Sequence, residues 1–358
     1  MAMQPKHILV AVLDWGLGHA TRSMVVINAL LKDGYKVSIA GNGQSLELLK
    51  QEYLHLNYYE LEPYDVKYSS SGSFMLNILW QLPKFLKAIQ TEHQQIEQLQ
   101  STYKFDCVIS DNRYGCRSDK VPSVLITHQL NIQLKGLLSL FQGGINYFNH
   151  RLIKKFTFCW VPDFSENRIT GMLTDTDYLN VRFIGMLSRF LKHETKIEED
   201  LIVGIVSGPE PQRTDFESML TKEMQQQKSN CIIIRGIVEG PTRKDDHVTF
   251  INHLSAVKLN ELIERAGVVI SRSGYSTIMD LAALQKKQII IVPTPGQTEQ
   301  EYLAKELDRD SIAIHQSQNQ FNLSLALQGV KQYKGFDSNN LPNNLLPMAL
   351  NELIERTN

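Results

Sequence analysis

The sequence predicts an α/β protein built from two Rossmann-like, doubly wound parallel-sheet domains facing each other across a cleft. Short apolar runs alternate with amphipathic helical patterns along most of the chain. The alternation is interrupted once by a charged stretch and then restarts. Each half opens with a buried strand that runs into a glycine-bearing turn. Alternation of this kind builds βαβ units and hence a parallel sheet. The 358 residues suit about two domains, at roughly 100–200 residues each.

The first strand is predicted at 8–13, where Ile8-Leu9-Val10-Ala11-Val12-Leu13 forms a continuous apolar run. That run is too short for a signal-peptide core and no small-residue cleavage site follows it. Further strands are expected at 36–40, 107–110, 123–127, 157–161 and 181–184. Amphipathic helices are expected at 20–32, 46–52 and 74–99. The polar, charged residues 191–200 read as a linker between a first domain at 1–190 and a second at 201–340. In the second domain strands fit 201–206, 231–234, 248–251, 268–271 and 288–292, and helices fit 214–226, 257–265, 275–284 and 298–307. The tail, 341–358, reads as a final helix that packs back on the first domain.

Composition excludes several classes. Apolar residues make up 42% and charged residues 21% of the chain, and the formal net charge is -1. That balance is ordinary for a globular protein and offers no basic field for nucleic acid. The cysteines Cys107, Cys116, Cys159 and Cys231 form no C-x-x-C pair, and no histidine cluster has metal-ligand spacing. Reduced thiols, a cytoplasmic location and no bound metal are the expectation. No apolar run approaches the roughly 20 residues that span a bilayer.

Three segments carry chemistry. The first is Asp14-Trp15-Gly16-Leu17-Gly18-His19-Ala20-Thr21-Arg22, directly after the first strand. Glycines there let a ligand approach the backbone, and the following helix offers N–H groups to an anion. Thr21 stands where a dinucleotide fingerprint needs its third glycine, and no acid follows the second strand at Ile39-Ala40-Gly41-Asn42. Both points argue against a dehydrogenase. His19 is placed to accept a proton from a hydroxyl. The plain alternative is a tight turn with a surface histidine.

The second segment is Ser271-Arg272-Ser273-Gly274-Tyr275-Ser276-Thr277, where a buried strand enters a helix. Its hydroxyls, backbone N–H groups and Arg272 suit a diphosphate. Asp280 lies six residues beyond Gly274, roughly 9 Å along the helix, a reach that suits ribose hydroxyls. The plain alternative is a capped helix start with a surface acid. The third segment is Pro293-Thr294-Pro295-Gly296-Gln297-Thr298-Glu299-Gln300. Its Gln297, Glu299 and Gln300 offer donors and acceptors to sugar hydroxyls.

Together these residues resemble glycosyltransferase family 28, and in particular its MurG-like enzymes. The resemblance covers most of the chain in outline and is most specific from about residue 248 to 303. It implies the GT-B fold and a UDP-sugar as substrate, with no cofactor. It implies that Arg272, Ser273, Gly274, Tyr275, Ser276, Thr277 and Asp280 bind the nucleotide, with Asp where the family carries Glu. It places the uracil-contacting segment on Phe250 and Ile251, and the donor-sugar loop on Gln297, Glu299 and Gln300. Ser207, Gly208 and Arg213 resemble the phosphate loop, although that loop has one glycine only. Gly16, Gly18 and His19 resemble the acceptor-side turn, with His19 as base. Trp15 and Leu17 replace small residues there, so a different acceptor is expected. Residues 121–129 resemble an acceptor-side segment that includes His128.

The resemblance further implies an inverting, metal-independent transfer to a sugar or a lipid-linked acceptor, with N-acetylglucosamine as one candidate sugar. The apolar stretch 74–87 with its lysines, and 137–141 with Arg151, Lys154 and Lys155, have the composition of a surface that docks on anionic lipid. They suit peripheral contact with the inner face of a plasma membrane. The sequence carries no signal for an oligomeric state. Two alternatives remain open. Gly16, Gly18, His19 and Arg22 also resemble the nucleotide-sugar hydrolases of pseudaminic acid synthesis. A non-catalytic nucleotide-sugar binder is the third reading.

Overall fold

The computed structural model describes residues 5–64, 82–134, 136–166, 168–177, 180–237, 242–337 and 345–357. The chain divides into two units, 1–187 with 341–358, and 188–340.

Unit 1 begins with β1 (His7–Val12), whose six residues are all buried. A helix on each face of a parallel sheet leaves its strands dry on both sides, which is why this run is continuously apolar. Then follow α1 (Leu17–Lys32), β2 (Lys36–Gly41), α2 (Gly43–Glu52), β3 (Asn57–Glu60) and α3 (Leu82–Tyr103). The chain continues through β4 (Cys107–Asp111), β5 (Ser123–Ile126), α4 (Gln142–Ile153), β6 (Phe158–Val161) and β7 (Val181–Phe183). The strand order is β3-β2-β1-β4-β5-β6-β7 and every pair is parallel. The order reverses between β1 and β4. In open α/β sheets the ligand site forms at such a reversal, outside the carboxyl ends of the strands.

Unit 2 contains β8 (Glu198–Ile205), α5 (Gln212–Met224), β9 (Asn230–Ile234), β10 (Arg243–Asp245), β11 (Val248–Ile251) and α6 (Ala256–Arg265). It continues with β12 (Ala266–Ser271), α7 (Tyr275–Ala283), β13 (Ile289–Ile291), α8 (Thr298–Arg309), β14 (Ile314–His315) and α9 (Leu323–Gly329). The order is β10-β11-β9-β8-β12-β13-β14, parallel except for the edge strand β10. Here the reversal falls between β8 and β12.

The last helix, α10 (Leu345–Glu355), belongs to unit 1. Ala349, Leu350 and Leu353 are buried in the same core as Ile8, Val10, Val26 and Ile27. Arg182 fastens the helix from outside through a two-pronged contact with Glu352, at 2.8 and 2.7 Å.

One expectation needs correction. Residues 191–200 are part of unit 2 and no free linker. Asn260 accepts from the Leu191 amide at 2.9 Å and donates to its carbonyl at 3.1 Å. Glu264 takes the His193 amide at 2.6 Å. Strand β8 starts at Glu198, which pairs with Ala266. The charges of Glu198–Asp200 mark exposed side chains, while their backbone already sits in the sheet. Gly267 makes this approach feasible, because a Cβ there would lie 2.4 Å from the Glu199 carbonyl. Of the helix expected at 74–99, residues 74–81 lie outside the described residues; a helix is described at Leu82–Tyr103. No helix among the described residues is long and apolar enough to cross a membrane.

Candidate functional site

The carboxyl end of β1 and the turn behind it set up the first polar centre. Gly16 has φ +116° and is the N-cap of α1; the cap carries no side-chain hydrogen bond and the first turn carries no acid. Asp14 turns away to accept from the Ser45 amide at the start of α2, at 2.8 Å. His19 and Arg22 lie one turn apart on α1, and therefore on one helix face. Both meet Asp111, the last residue of β4, which is the strand beside β1 across the order reversal. Asp111 and Arg22 are buried.

Arg22 Nε donates to Asp111 Oδ1 and Oδ2 at 3.0 and 2.8 Å, and Arg22 Nη2 is in close contact with Oδ1. Ser23 Oγ donates to Oδ2 at 3.1 Å. His19 Nδ1 lies 3.2 Å from Asp111 Oδ1, and its side chain keeps 14% exposure. Beyond Arg22 stands His128, just past the end of β5, with its Nδ1 3.2 Å from Nη1. Burial opposes charge on Asp111, but Arg22 and then His19 outweigh it and hold the carboxyl well below the usual carboxylate range. Burial and the neighbouring Arg22 lower the pKa of His19, so the imidazole is neutral near pH 7.

The structure thus joins His19, Arg22 and His128 around a carboxylate that sequence reasoning missed. Asp111 does carry a signal. It is an acid at the carboxyl end of a fully buried strand, in Ser110-Asp111-Asn112.

The second polar centre lies at the reversal in unit 2. Ser271 at the end of β12 pairs with Ile205 of β8, so the turns beyond the two strands leave the sheet side by side. One carries Ser207 and Gly208, the latter at φ +112° with open space where a Cβ would go. The other leads into α7. The N-cap there is Gly274; no side chain caps it, no acid lies in the first turn, and a Cβ at Gly274 would meet open space. A helix start of this kind leaves N–H groups and the positive end of the dipole for an anion. Ser276, Thr277 and Asp280 are all partly exposed and share one face of α7. Tyr275 is buried.

Burial raises the Asp280 carboxyl to about 6 against the opposing pull of Ser188, whose Oγ donates to it at 2.5 Å, and of Arg189. The loop after β13 is fixed from within. Gln300 accepts from the Thr294 amide at 2.9 Å and donates to Gln297 at 2.6 Å, while Ser273 Oγ donates to the Gln300 carbonyl at 2.7 Å. Glu299 is partly exposed in the first turn of α8.

Three expected nucleotide contacts take other roles here. The Arg272 guanidinium is buried, 4.0 Å over the Phe216 ring. It donates to the carbonyls of Val292, Pro293 and Gln212 and, at 2.6 Å, to Gln318. It therefore ties the loop after β13 to the start of α5. Burial lowers its pKa to about 10, which leaves it charged near pH 7. Arg213 is engaged by Glu210 at 2.6 Å and Glu217 at 2.7 Å. Phe250 is fully buried, with Arg243 4.3 Å over its ring, so that ring offers no face to a base; Ile251 beside it is partly exposed.

Two parallel-sheet units, each with a glycine-started helix at its strand-order reversal, have the architecture of the GT-B fold. Residues 219–344 match the model of the glycosyltransferase family 28 C-terminal domain, and residues 6–131 match that of glycosyl transferase family 1. The chain is a glycosyltransferase whose C-terminal half carries a family 28 domain. Among solved structures it is similar to MurG of Acinetobacter baumannii, with TM-score 0.54 and 14% identity over 98% of this chain and 95% of that one. It is also similar to the glycotransferase of kitacinnamycin, with TM-score 0.65 and 15% identity over 99% and 95% of the two chains. The calicheamicin glycosyltransferase CalG4 is similar too, with TM-score 0.63 and 12% identity over 99% and 93%. No curated protein matches the sequence.

Proposed function

We propose that the chain transfers a sugar from a UDP-sugar to an acceptor hydroxyl with inversion and without a metal. The observation that carries this reading is the start of α7, an uncapped helix end with Ser276, Thr277 and Asp280 on one face. The diphosphate takes the helix end and the ribose takes Asp280. In unit 1, His19 receives the acceptor proton at Nε2 while Nδ1–H faces Asp111. The carboxylate then stabilises the imidazolium that forms. The leaving diphosphate is met by helix N–H groups, and Arg272 holds the surrounding loops in place.

A lipid-linked acceptor at the inner face of a plasma membrane fits Leu140, Phe141 and Tyr147, which are 81%, 62% and 66% exposed. Arg151, Lys154 and Lys155 follow in the same stretch of chain. The hydrolase reading keeps its support in His19 and Arg22 at one centre. Incubation with UDP-sugars, with and without sugar and polyprenyl-phosphate acceptors, separates the two. UDP release that depends on an acceptor supports transfer. Equal release in water alone refutes it.

A further inference from the structure

We propose that Arg22 sets the tautomer of His19, holding its proton on Nε2 in the resting site. Arg22 directs donors at Asp111, His19 and His128. Nε and Nη2 engage Asp111, Nη2 also lies 2.9 Å from His19 Nδ1, and Nη1 lies 3.2 Å from His128 Nδ1. A guanidinium has donors only. An imidazole nitrogen that bonds to it must therefore accept, and a neutral imidazole that accepts at Nδ1 carries its proton on Nε2.

Asp111 Oδ1 is the rival partner for Nδ1, at the longer distance of 3.2 Å. That oxygen already receives protons from Arg22, and Oδ2 receives another from Ser23. In the rival arrangement an Nδ1–H would point at a site where a guanidinium N–H also points. The shorter contact and the permanent charge on Arg22 favour acceptance at Nδ1. Burial and Arg22 both favour the neutral ring, so one proton has to be placed and not two.

The consequence rests on the reading of His19 as the base. In the resting site Nε2, the nitrogen that would take the acceptor proton, already holds one. Base action needs that proton released to water and another taken up from water at Nδ1, facing Asp111. Until that exchange occurs, a water molecule finds no base at His19, and a bound donor is spared hydrolysis. Arg22 acts as a positioning residue in this scheme and Asp111 as the partner of the working tautomer.

Nitrogen-15 NMR of the full chain labelled at histidine tests this, with His19→Gln used to identify the His19 signals. The expected wild-type spectrum shows His19 with Nδ1 bare and Nε2 protonated, and Asp111→Asn leaves that pattern unchanged. Arg22→Gln is expected to move the proton to Nδ1. If Arg22→Gln does not fold, the other two spectra decide. A wild-type His19 protonated at Nδ1 overturns the proposal, as does a folded Arg22→Gln variant that keeps its proton on Nε2, or an Asp111→Asn variant whose His19 proton changes nitrogen. The spectra report the tautomer whether or not the protein proves to be a transferase, so the two readings fail separately.

Discussion

Ser188 Oγ donates to Asp280 Oδ1 at 2.5 Å, so the carboxylate assigned to the nucleotide ribose is aimed by the first residue of unit 2. Burial holds that carboxyl at about 6. Below this value the group is mainly neutral, and above it the group is a carboxylate, the stronger acceptor. UDP affinity is therefore expected to rise from about pH 5 to about pH 7 and then level off. Asp280→Ala should abolish the rise and weaken UDP by about 10–100-fold. Calorimetric titration at several pH values checks both.

His19→Ala should cut turnover by about 10²–10⁴-fold and leave UDP affinity unchanged. Acceptor-dependent UDP release, set against a UDP titration of the same variant, reads the two effects apart. Near-normal turnover would remove His19 as the base.

Asp111→Asn leaves the buried Arg22 without its carboxylate, which is expected to cost about 3–5 kcal/mol of stability. The sign with pH follows from the lowered carboxyl. An unfolded Asp titrates near 3.9, and in the folded chain the group titrates lower still. The pair's contribution is thus complete above about pH 4 and is lost only as pH falls through the folded value. Urea unfolding of wild type and variant at about pH 5 and pH 8 should show the same gap at both. A gap that closes at pH 5 would contradict the assignment.

Leu353 on α10 is fully buried in the core of unit 1. Leu353→Ala should lower stability by about 2–5 kcal/mol, with UDP binding by the folded variant unchanged. Denaturant unfolding followed by a UDP titration tests whether this helix serves only unit 1.

The sequence revealed the elements that carry the two polar centres because each joins a dry apolar strand to a polar, glycine-bearing turn. Strands β1 and β12 and helices α1 and α7 were legible on those grounds. Strands β3, β10 and β14 were missed. They are short edge strands of two to four residues whose side chains are half or fully exposed, so no apolar run marks them. Asp111 was missed because its meeting with His19 depends on β4 lying beside β1, a neighbour relation across 92 residues that local pattern cannot contain. The position of Arg272 beside a helix start suggests a phosphate ligand. Its direction is decided by the Phe216 ring and by carbonyls contributed from α5 and the loop after β13.

Unit 2 is proposed to hold a UDP-sugar at the start of α7. A thermal-shift titration against UDP-, GDP-, dTDP- and CMP-linked sugars tests it most directly. A ligand at about 100 times its Kd adds roughly 2.7 kcal/mol to the folded state. A UDP-sugar is expected to raise the melting temperature of the wild type, and Asp280→Ala to lose most of that rise. No shift with any UDP-sugar, or an equal shift in Asp280→Ala, would contradict it.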